Sequence, residues 1–251
     1  MKGLFLDYDG TISSLNVTRS ESTVPAKTCS FLRQISRRIP VAILSAKDLL
    51  FLIERTPFAQ AWSALGGLET KTKDGIIKAS CLKKVNKGVM RALKYARTFC
   101  STDLTIGEKL DSGGEVVAFS VDWRHSKDPN ETSVTASRIA AYCETLPIFT
   151  VRYENQPYFD VFPCRVDKGD ALLLLKEKLG LRNGVLYMGD SILDNPAFEL
   201  ADVSLGVIHA ETSTCLTCDY FVRFEDVADF LSTLLQNDFV FSPDLSSIIR
   251  K

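Results

Sequence analysis

Short uninterrupted apolar runs alternate with stretches of helical spacing at both ends of the chain, and the middle breaks that rhythm. Leu4-Phe5-Leu6 reads as a strand, followed by a polar loop over 13–22. The spacing of Phe31, Leu32 and Ile35 predicts a helix over 25–38, with Arg37 and Arg38 at its end, where cations suit the helix dipole, and Pro40 to stop it. Val41-Ala-Ile-Leu44 is apolar throughout, the pattern of a strand buried on both faces, and a second helix over 47–55 ends before Pro57. Strand and helix in alternation imply right-handed crossovers and a parallel sheet. The same alternation returns near the end of the chain. A helix over 168–179 is closed by Gly180, 185–188 is a strand, and 194–200 is a short helix. Further short strands over 203–208 and 220–222 precede a terminal helix over 224–235.

From Ala61 to Ala79 the texture changes, and Asp74-Gly75 between extended segments marks a tight hairpin. Val85, Val89, Leu93 and Ala96 give helical spacing over 83–100; segment 104–110 and the alternating 115–123 read as strands. A helix over 131–146 and strands over 148–153 and 158–162 follow. A strand-rich block with two helices implies an antiparallel sheet covered on one face. The predicted architecture is therefore α/β: a Rossmann-like parallel-sheet core made of 1–81 and 161–251, with an α+β domain, 82–160, inserted between its halves.

Thirty basic and thirty-one acidic residues leave a net charge of −1, so no strong field draws nucleic acid or an anionic membrane, and a small-molecule partner is expected. No apolar run approaches the eighteen or so residues of a membrane helix, and Asp7 and Asp9 interrupt the N-terminus before a signal-peptide core could form. A cytoplasmic location follows as an expectation. So do reduced thiols, because the seven cysteines are odd in number and scattered. Cys215-Leu-Thr-Cys218 has the spacing of half a zinc site or a redox motif, but no second cysteine pair or nearby histidine pair accompanies it; Asn16-Val-Thr and Asn130-Glu-Thr match the glycosylation pattern but lack a signal to make it relevant.

The chemistry-bearing residues follow the apolar strands. In Asp7-Tyr-Asp9-Gly-Thr11 the two carboxylates lie two apart in extended chain and converge on one side, where a cation would relieve their repulsion. Magnesium, which takes oxygen ligands and commonly one or two carboxylates, suits that position. Gly10 permits a sharp turn, and Thr11 offers a hydroxyl and an amide. Parallel sheets place their sites at the carboxyl ends of strands, so Asp7, Ser45 and Asp190 should meet. Gly189-Asp190-Ser-Ile-Leu-Asp194 adds a second acidic cluster, with Asp194 able to serve either the site or the start of the next helix. Lys168 opens a helix beside Gly169, a place where a cation is disfavoured unless an anion, such as phosphate, sits against it.

Asp7-x-Asp9-Gly-Thr11, Ser45, Lys168-Gly and Gly189-Asp190-x3-Asp194 resemble, in order and context, the four motifs of the haloacid dehalogenase superfamily of phosphotransferases. The insertion between Ser45 and Lys168 is similar to the type 2B cap of its sugar phosphatases. Within that group Asp7-Tyr-Asp-Gly-Thr, Gly67-x-Glu69, Val117-Ala-Phe-Ser-Val-Asp-Trp-Arg124, Val166-Asp-Lys-Gly169 and the Gly189 motif with Phe198 beyond it resemble the trehalose-6-phosphate phosphatase family. The chain departs from that family at Ser45-Ala-Lys47 (Ser-Gly-Arg is usual), Gly66 (His), Asp122-Trp123 (His-Tyr), Phe159-Asp160-Val-Phe162 (Leu-Glu-Ile-Arg) and Ser191 (Asp). The resemblance implies a magnesium-dependent phosphatase of trehalose metabolism with an aspartyl-phosphate intermediate. It makes Asp7 the nucleophile and Asp9 the general acid and base. Asp7, Asp9, Asp190 and Asp194 become metal ligands, and Thr11, Ser45 and Lys168 hold phosphate. Lys47, Glu69, Arg124 and Asp160 would face sugar hydroxyls. The alternatives are a phosphatase of sucrose phosphate or mannosyl-3-phosphoglycerate, a hexose phosphomutase, and a sugar-phosphate-binding regulatory protein without turnover.

Overall fold

The computed structural model describes residues 1–15, 17–83, 86–153, 156–209, 215–243 and 247–250. Asn16 and Val85, used above, lie outside the described residues. The chain divides into two compact units, one of residues 1–77 and 167–251, the other of residues 78–166. The expected inserted segment was 82–160.

The chain begins β1 (Gly3–Leu6), α1 (Ala26–Ile35), β2 (Val41–Leu44), α2 (Leu49–Arg55), β3 (Ala61–Ala64), β4 (Glu69–Thr72) and β5 (Gly75–Lys78). It continues α3 (Lys87–Arg97), β6 (Thr105–Leu110), β7 (Val116–Asp122), α4 (Pro129–Glu144), β8 (Phe149–Arg152) and β9 (Tyr158–Phe162). The last part comprises α5 (Lys168–Lys178), β10 (Val185–Gly189), α6 (Asn195–Leu200), β11 (Val203–Ile208), β12 (Tyr220–Arg223), α7 (Val227–Gln236) and β13 (Ile249–Arg250).

In the first unit the described strands form one sheet in the order β13-β12-β11-β10-β1-β2-β3-β4-β5. Pairing is parallel from β12 through to β3; β13 runs antiparallel to β12 and β4 antiparallel to β3. The change of texture over 61–79 is where the parallel pattern ends: β3 is still parallel to β2, and β4 runs antiparallel to β3. Ala-Trp-Ser-Ala is too short and too mixed to announce a strand by itself, and its pairing along β2 supplies what propensity does not. Strand order reverses between β10 and β1, which makes the carboxyl ends of these two strands the crevice where such sheets bind ligands. Both faces of β1 are covered. Phe5 packs with Ala42, Leu44, Tyr187, Leu172 and Leu175 of α5 and Phe198 of α6, while the opposite-facing Leu4 and Leu6 are equally buried. That is why β1 is apolar throughout until the chain leaves the sheet at Asp7.

The second unit is an antiparallel sheet ordered β6-β7-β9-β8. Val89, Leu93 and Ala96 of α3 and Ile139, Ala140 and Cys143 of α4 bury against Phe119, Val121, Phe159 and Val161, one face of β7 and β9. Alternation then puts Lys109, Ser120, Asp122 and Asp160 on the face away from the helices.

The expectation of seven reduced thiols is also corrected: Cys81 and Cys164 are joined in a disulfide, with Cα atoms 6.5 Å apart. They lie 83 residues apart in sequence, near the two ends of the second unit's chain, so only the closed fold brings them together. Cys29, Cys100, Cys143, Cys215 and Cys218 form no disulfide among the described residues. No described helix is long and apolar enough to cross a membrane.

Candidate active site

Register brings the expected residues to one end of the first unit's sheet. Leu6 pairs with Met188 on one side and Ile43 on the other, so Asp7, Ser45 and Asp190 follow the ends of three adjacent parallel strands. The Asp7 amide still donates to the Met188 carbonyl at 2.8 Å, fixing its direction as the strand ends. Gly10 then turns the chain with φ +70°, and a Cβ there would lie 1.9 Å from Asp190 Oδ2; glycine is needed both for the turn and for the close approach of the two motifs. Gly189 is as tightly placed, since its Cβ would fall 2.4 Å from the Asp194 carboxyl carbon.

Lys168 opens α5 behind the Asp167 cap, whose side chain accepts from the Gly169 and Asp170 amides. Its ammonium is buried and lies 2.9 Å from Asp7 Oδ1 and 2.6 Å from Asp194 Oδ1. Asp194 is fully buried and both its oxygens are taken. Oδ1 also accepts from the Tyr187 hydroxyl, and Oδ2 accepts from the Asp190 and Ser191 amides and the Ser191 hydroxyl. It thus holds the 190–191 turn and Lys168 together. Carboxylate oxygens of Asp7, Asp190 and Asp194 lie within 4.8 Å of one another. Among the described residues no donor reaches the Asp190 carboxylate.

Three carboxylates around one lysine make an electrostatic imbalance. Burial, the largest effect, pushes the Asp7 carboxyl up to about 7; Asp194 and Asp9 push the same way, and Lys168 opposes them. Asp190 is held well above the usual carboxylate range by burial first and then by Asp7 and Asp194. For Lys168 burial alone would lower the pKa, but Asp194 and Asp7 outweigh it and raise it. Hard oxygen donors in excess negative charge, with the Asp190 carboxylate met by no described donor, fit a divalent cation such as magnesium.

The hydroxyl of Thr11 is completely buried, and its oxygen has no hydrogen-bond partner among the described residues. A buried, unmade hydrogen bond is costly, and an oxygen-rich ligand would satisfy it. Ser45 is buried, and its amide donates to the Ser63 carbonyl. Lys47 lies 3.2 Å from Asp9 Oδ2 with its ammonium 5.5 Å from the Phe51 ring centroid.

The four residues expected to face sugar hydroxyls divide between the two units. Lys47 joins the site through Asp9; Glu69 starts β4 in the same unit, fully buried. Arg124 and Asp160 belong to the second unit. The Arg124 guanidinium pairs with Asp122 and lies over Tyr158, and the two Asp160 oxygens are met by Lys109 at 2.7 Å and by the Tyr153 hydroxyl at 2.8 Å. Sequence reasoning missed Tyr187, which sits mid-strand in an apolar run, and His209, whose Nε2 lies 2.8 Å from the Gly10 carbonyl oxygen. Neither belongs to a motif, so only the folded arrangement finds them.

Among solved structures, a trehalose-6-phosphate phosphatase related protein superposes with a TM-score of 0.73 at 19% identity, over 94% of this chain and 98% of that one. The C-terminal domain of the C. albicans trehalose-6-phosphate phosphatase does so with 0.73 at 18%, over 94% and 92%. A haloacid dehalogenase subclass IIB sugar phosphatase matches with 0.64 at 12%, over 96% and 100%. This chain has the haloacid dehalogenase fold. In sequence it is 24% identical to the curated Arabidopsis thaliana protein "Probable trehalose-phosphate phosphatase H", over 93% of this chain and 71% of that protein. No family model matches. Within the haloacid dehalogenase fold the acidic crowd described here stands at the switch point of the parallel sheet, where β10 meets β1.

Proposed function

We propose that the protein is a magnesium-dependent sugar-phosphate phosphatase acting through an aspartyl-phosphate, with trehalose 6-phosphate as its substrate. The observation that carries this reading is the buried Asp7 carboxylate at the tip of β1, 2.9 Å from Lys168 and crowded by Asp190 and Asp194. The trehalose-phosphate phosphatases that resemble the chain in sequence and fold support the choice of substrate.

In this reading Asp7 attacks the phosphorus atom of the monoester, the sugar oxygen leaves, and water then cleaves the acyl phosphate, so one difficult step becomes two easier ones. Asp9 protonates the leaving oxygen and afterwards takes the proton of the attacking water, work worth about two to four powers of ten. Lys47 at 3.2 Å holds the Asp9 side chain in place. Lys168, Ser45 and the Thr11 hydroxyl bind the phosphoryl oxygens. A magnesium ion, held by Asp7, the Asp9 carbonyl and Asp190, would neutralise charge on the transferring group. Asp194 serves by positioning Lys168 and the 190–191 turn, since its oxygens are already occupied.

Phosphate release should be measured with trehalose 6-phosphate, a sucrose phosphate, mannosyl-3-phosphoglycerate and glucose 6-phosphate, with and without magnesium, against an Asp7→Asn control. Magnesium-dependent turnover fastest on trehalose 6-phosphate is expected, falling by at least about a thousandfold in the variant. Turnover no faster than the control on every substrate would defeat the enzyme reading in favour of a sugar-phosphate-binding regulatory protein.

A further inference from the structure

The catalytic turn is held by more than its own hydrogen bonds. Within it, the Gly10 amide donates to the Ser13 carbonyl at 2.7 Å, and the Ile12 and Ser13 amides donate to the Tyr8 carbonyl at 3.0 and 2.9 Å. The Gly10 carbonyl takes no part in these bonds and accepts from His209, which follows the last residue of β11, with Nε2 at 2.8 Å. A carbonyl can only accept, so Nε2 carries the proton in this contact. The imidazole is stacked on Phe224, with ring centroids 5.0 Å apart and planes inclined by 26°, which fixes the direction from which it donates.

A trans peptide is planar, so the Gly10 carbonyl and the Thr11 N–H are parts of one rigid plate facing opposite ways. Fixing the carbonyl fixes the amide. Among the described residues the Thr11 N–H has no backbone or side-chain acceptor, and the Thr11 hydroxyl is buried with no partner. Two unused donors therefore sit on one residue, two places after Asp9, and the plate that carries one of them is held from β11. Glycine makes the hold necessary. With φ +70° and no side chain, Gly10 has little of its own to resist a flip of the following peptide.

We propose that His209 is a positioning residue for the phosphoryl-transfer site: by anchoring the Gly10 carbonyl it keeps the Thr11 amide aimed for an oxyanion and the Asp9 side chain in register. The proposal rests on the phosphatase reading given above. One hydrogen bond, worth about 1 kcal/mol, corresponds to a loss of roughly fivefold to tenfold when it is spent on orientation.

Two variants separate the donor from the ring. His209→Phe keeps the stack on Phe224 and removes the donor; His209→Gln removes the stack and keeps an N–H of similar reach. With trehalose 6-phosphate and magnesium, His209→Phe should lower kcat about fivefold to tenfold with KM within about twofold, and His209→Gln should restore kcat to within about threefold of the parent. Hydrogen exchange of the amides over 8–13 should quicken about fivefold to tenfold in His209→Phe and return towards the parent rate in His209→Gln. An unchanged kcat in His209→Phe, or a His209→Gln variant as impaired as His209→Phe, would overturn the proposal by reducing the histidine to a packing residue. Should the parent turn over no sugar phosphate faster than Asp7→Asn, the phosphatase reading falls. The exchange rates then decide alone: quickening reversed by Gln supports the anchor, and equal rates in all three proteins refute it.

Discussion

Lys168 in the first unit and Lys109 in the second are both buried lysines paired with aspartate at hydrogen-bonding distance, 2.9 and 2.6 Å in one case and 2.7 Å in the other. Their surroundings differ. Each oxygen of Asp160 has its own donor, Lys109 or Tyr153, and the Lys109 ammonium also lies 5.1 Å from the Phe162 ring centroid. Around Lys168 stand three carboxylates, of which Asp190 meets no donor among the described residues, and nearby the Thr11 hydroxyl has no partner among them. Buried polar groups are ordinarily satisfied, so a cluster that closes on itself reads as architecture and one left charged and open reads as a place for something else. Residue type alone does not separate the two; the count of unmet partners does.

The largest test removes each lysine in turn. Lys168→Met should cost about 3–5 kcal/mol of stability in metal-free protein, because it leaves buried carboxylates facing one another, and Lys109→Met should cost a similar amount by stranding Asp160. Magnesium separates them. Denaturant unfolding with 10 mM magnesium should recover part of the loss in Lys168→Met and none in Lys109→Met; equal recovery in both would remove the distinction between the clusters.

The next effect is smaller and concerns the parent protein. Magnesium at a hundred times its dissociation constant should stabilise it by about 2.7 kcal/mol, and Asp190→Asn should abolish most of that gain while making the metal-free protein more stable. In the unfolded chain Asp7 titrates near its ordinary 3.8; in the folded, metal-free protein it is raised to about 7, chiefly by burial. The folded state then binds more protons than the unfolded state between these values, so metal-free stability falls as pH climbs from about 4 to about 7. Melting temperature followed across that range should decline in chelator and decline less in magnesium. A rise with pH in chelator would show that Lys168 dominates the carboxylates.

These contrasts also explain what could be read from the chain beforehand. The parallel core was legible because runs such as Val41–Leu44 and Val185–Met188 must be apolar on both faces, and Asp7, Lys168 and Asp190 stood out because charge directly beside such runs has no structural excuse. The reach of the parallel sheet to β3 was not legible, since Ala61–Ala64 carries little strand propensity and depends on β2 for its pairing. Nor was the Cys81–Cys164 link, whose partners are 83 residues apart. Asp194 could be read either as a ligand or as a cap because both uses take the same residue at the same place; its five donors, from Lys168, Tyr187, the Asp190 and Ser191 amides and the Ser191 hydroxyl, are visible only once those groups converge.

The finest test deletes a single oxygen from each cluster. Tyr153→Phe removes the hydroxyl that donates to Asp160 at 2.8 Å and leaves that oxygen short of a partner, a loss of about 1–3 kcal/mol by chemical denaturation. Thr11→Val deletes an oxygen that nothing in the described protein meets and keeps the shape of the side chain, so stability should change by less than about 0.5 kcal/mol or rise. Activity should move the opposite way. With trehalose 6-phosphate, Thr11→Val should lose roughly tenfold in kcat/KM, because the hydroxyl that costs the fold something is the one offered to the phosphoryl oxygens. If Thr11→Val instead destabilised the protein as much as Tyr153→Phe while leaving kcat/KM intact, the unmet hydroxyl would be structural, and the open cluster would lose one of the two observations that distinguish it from the closed one.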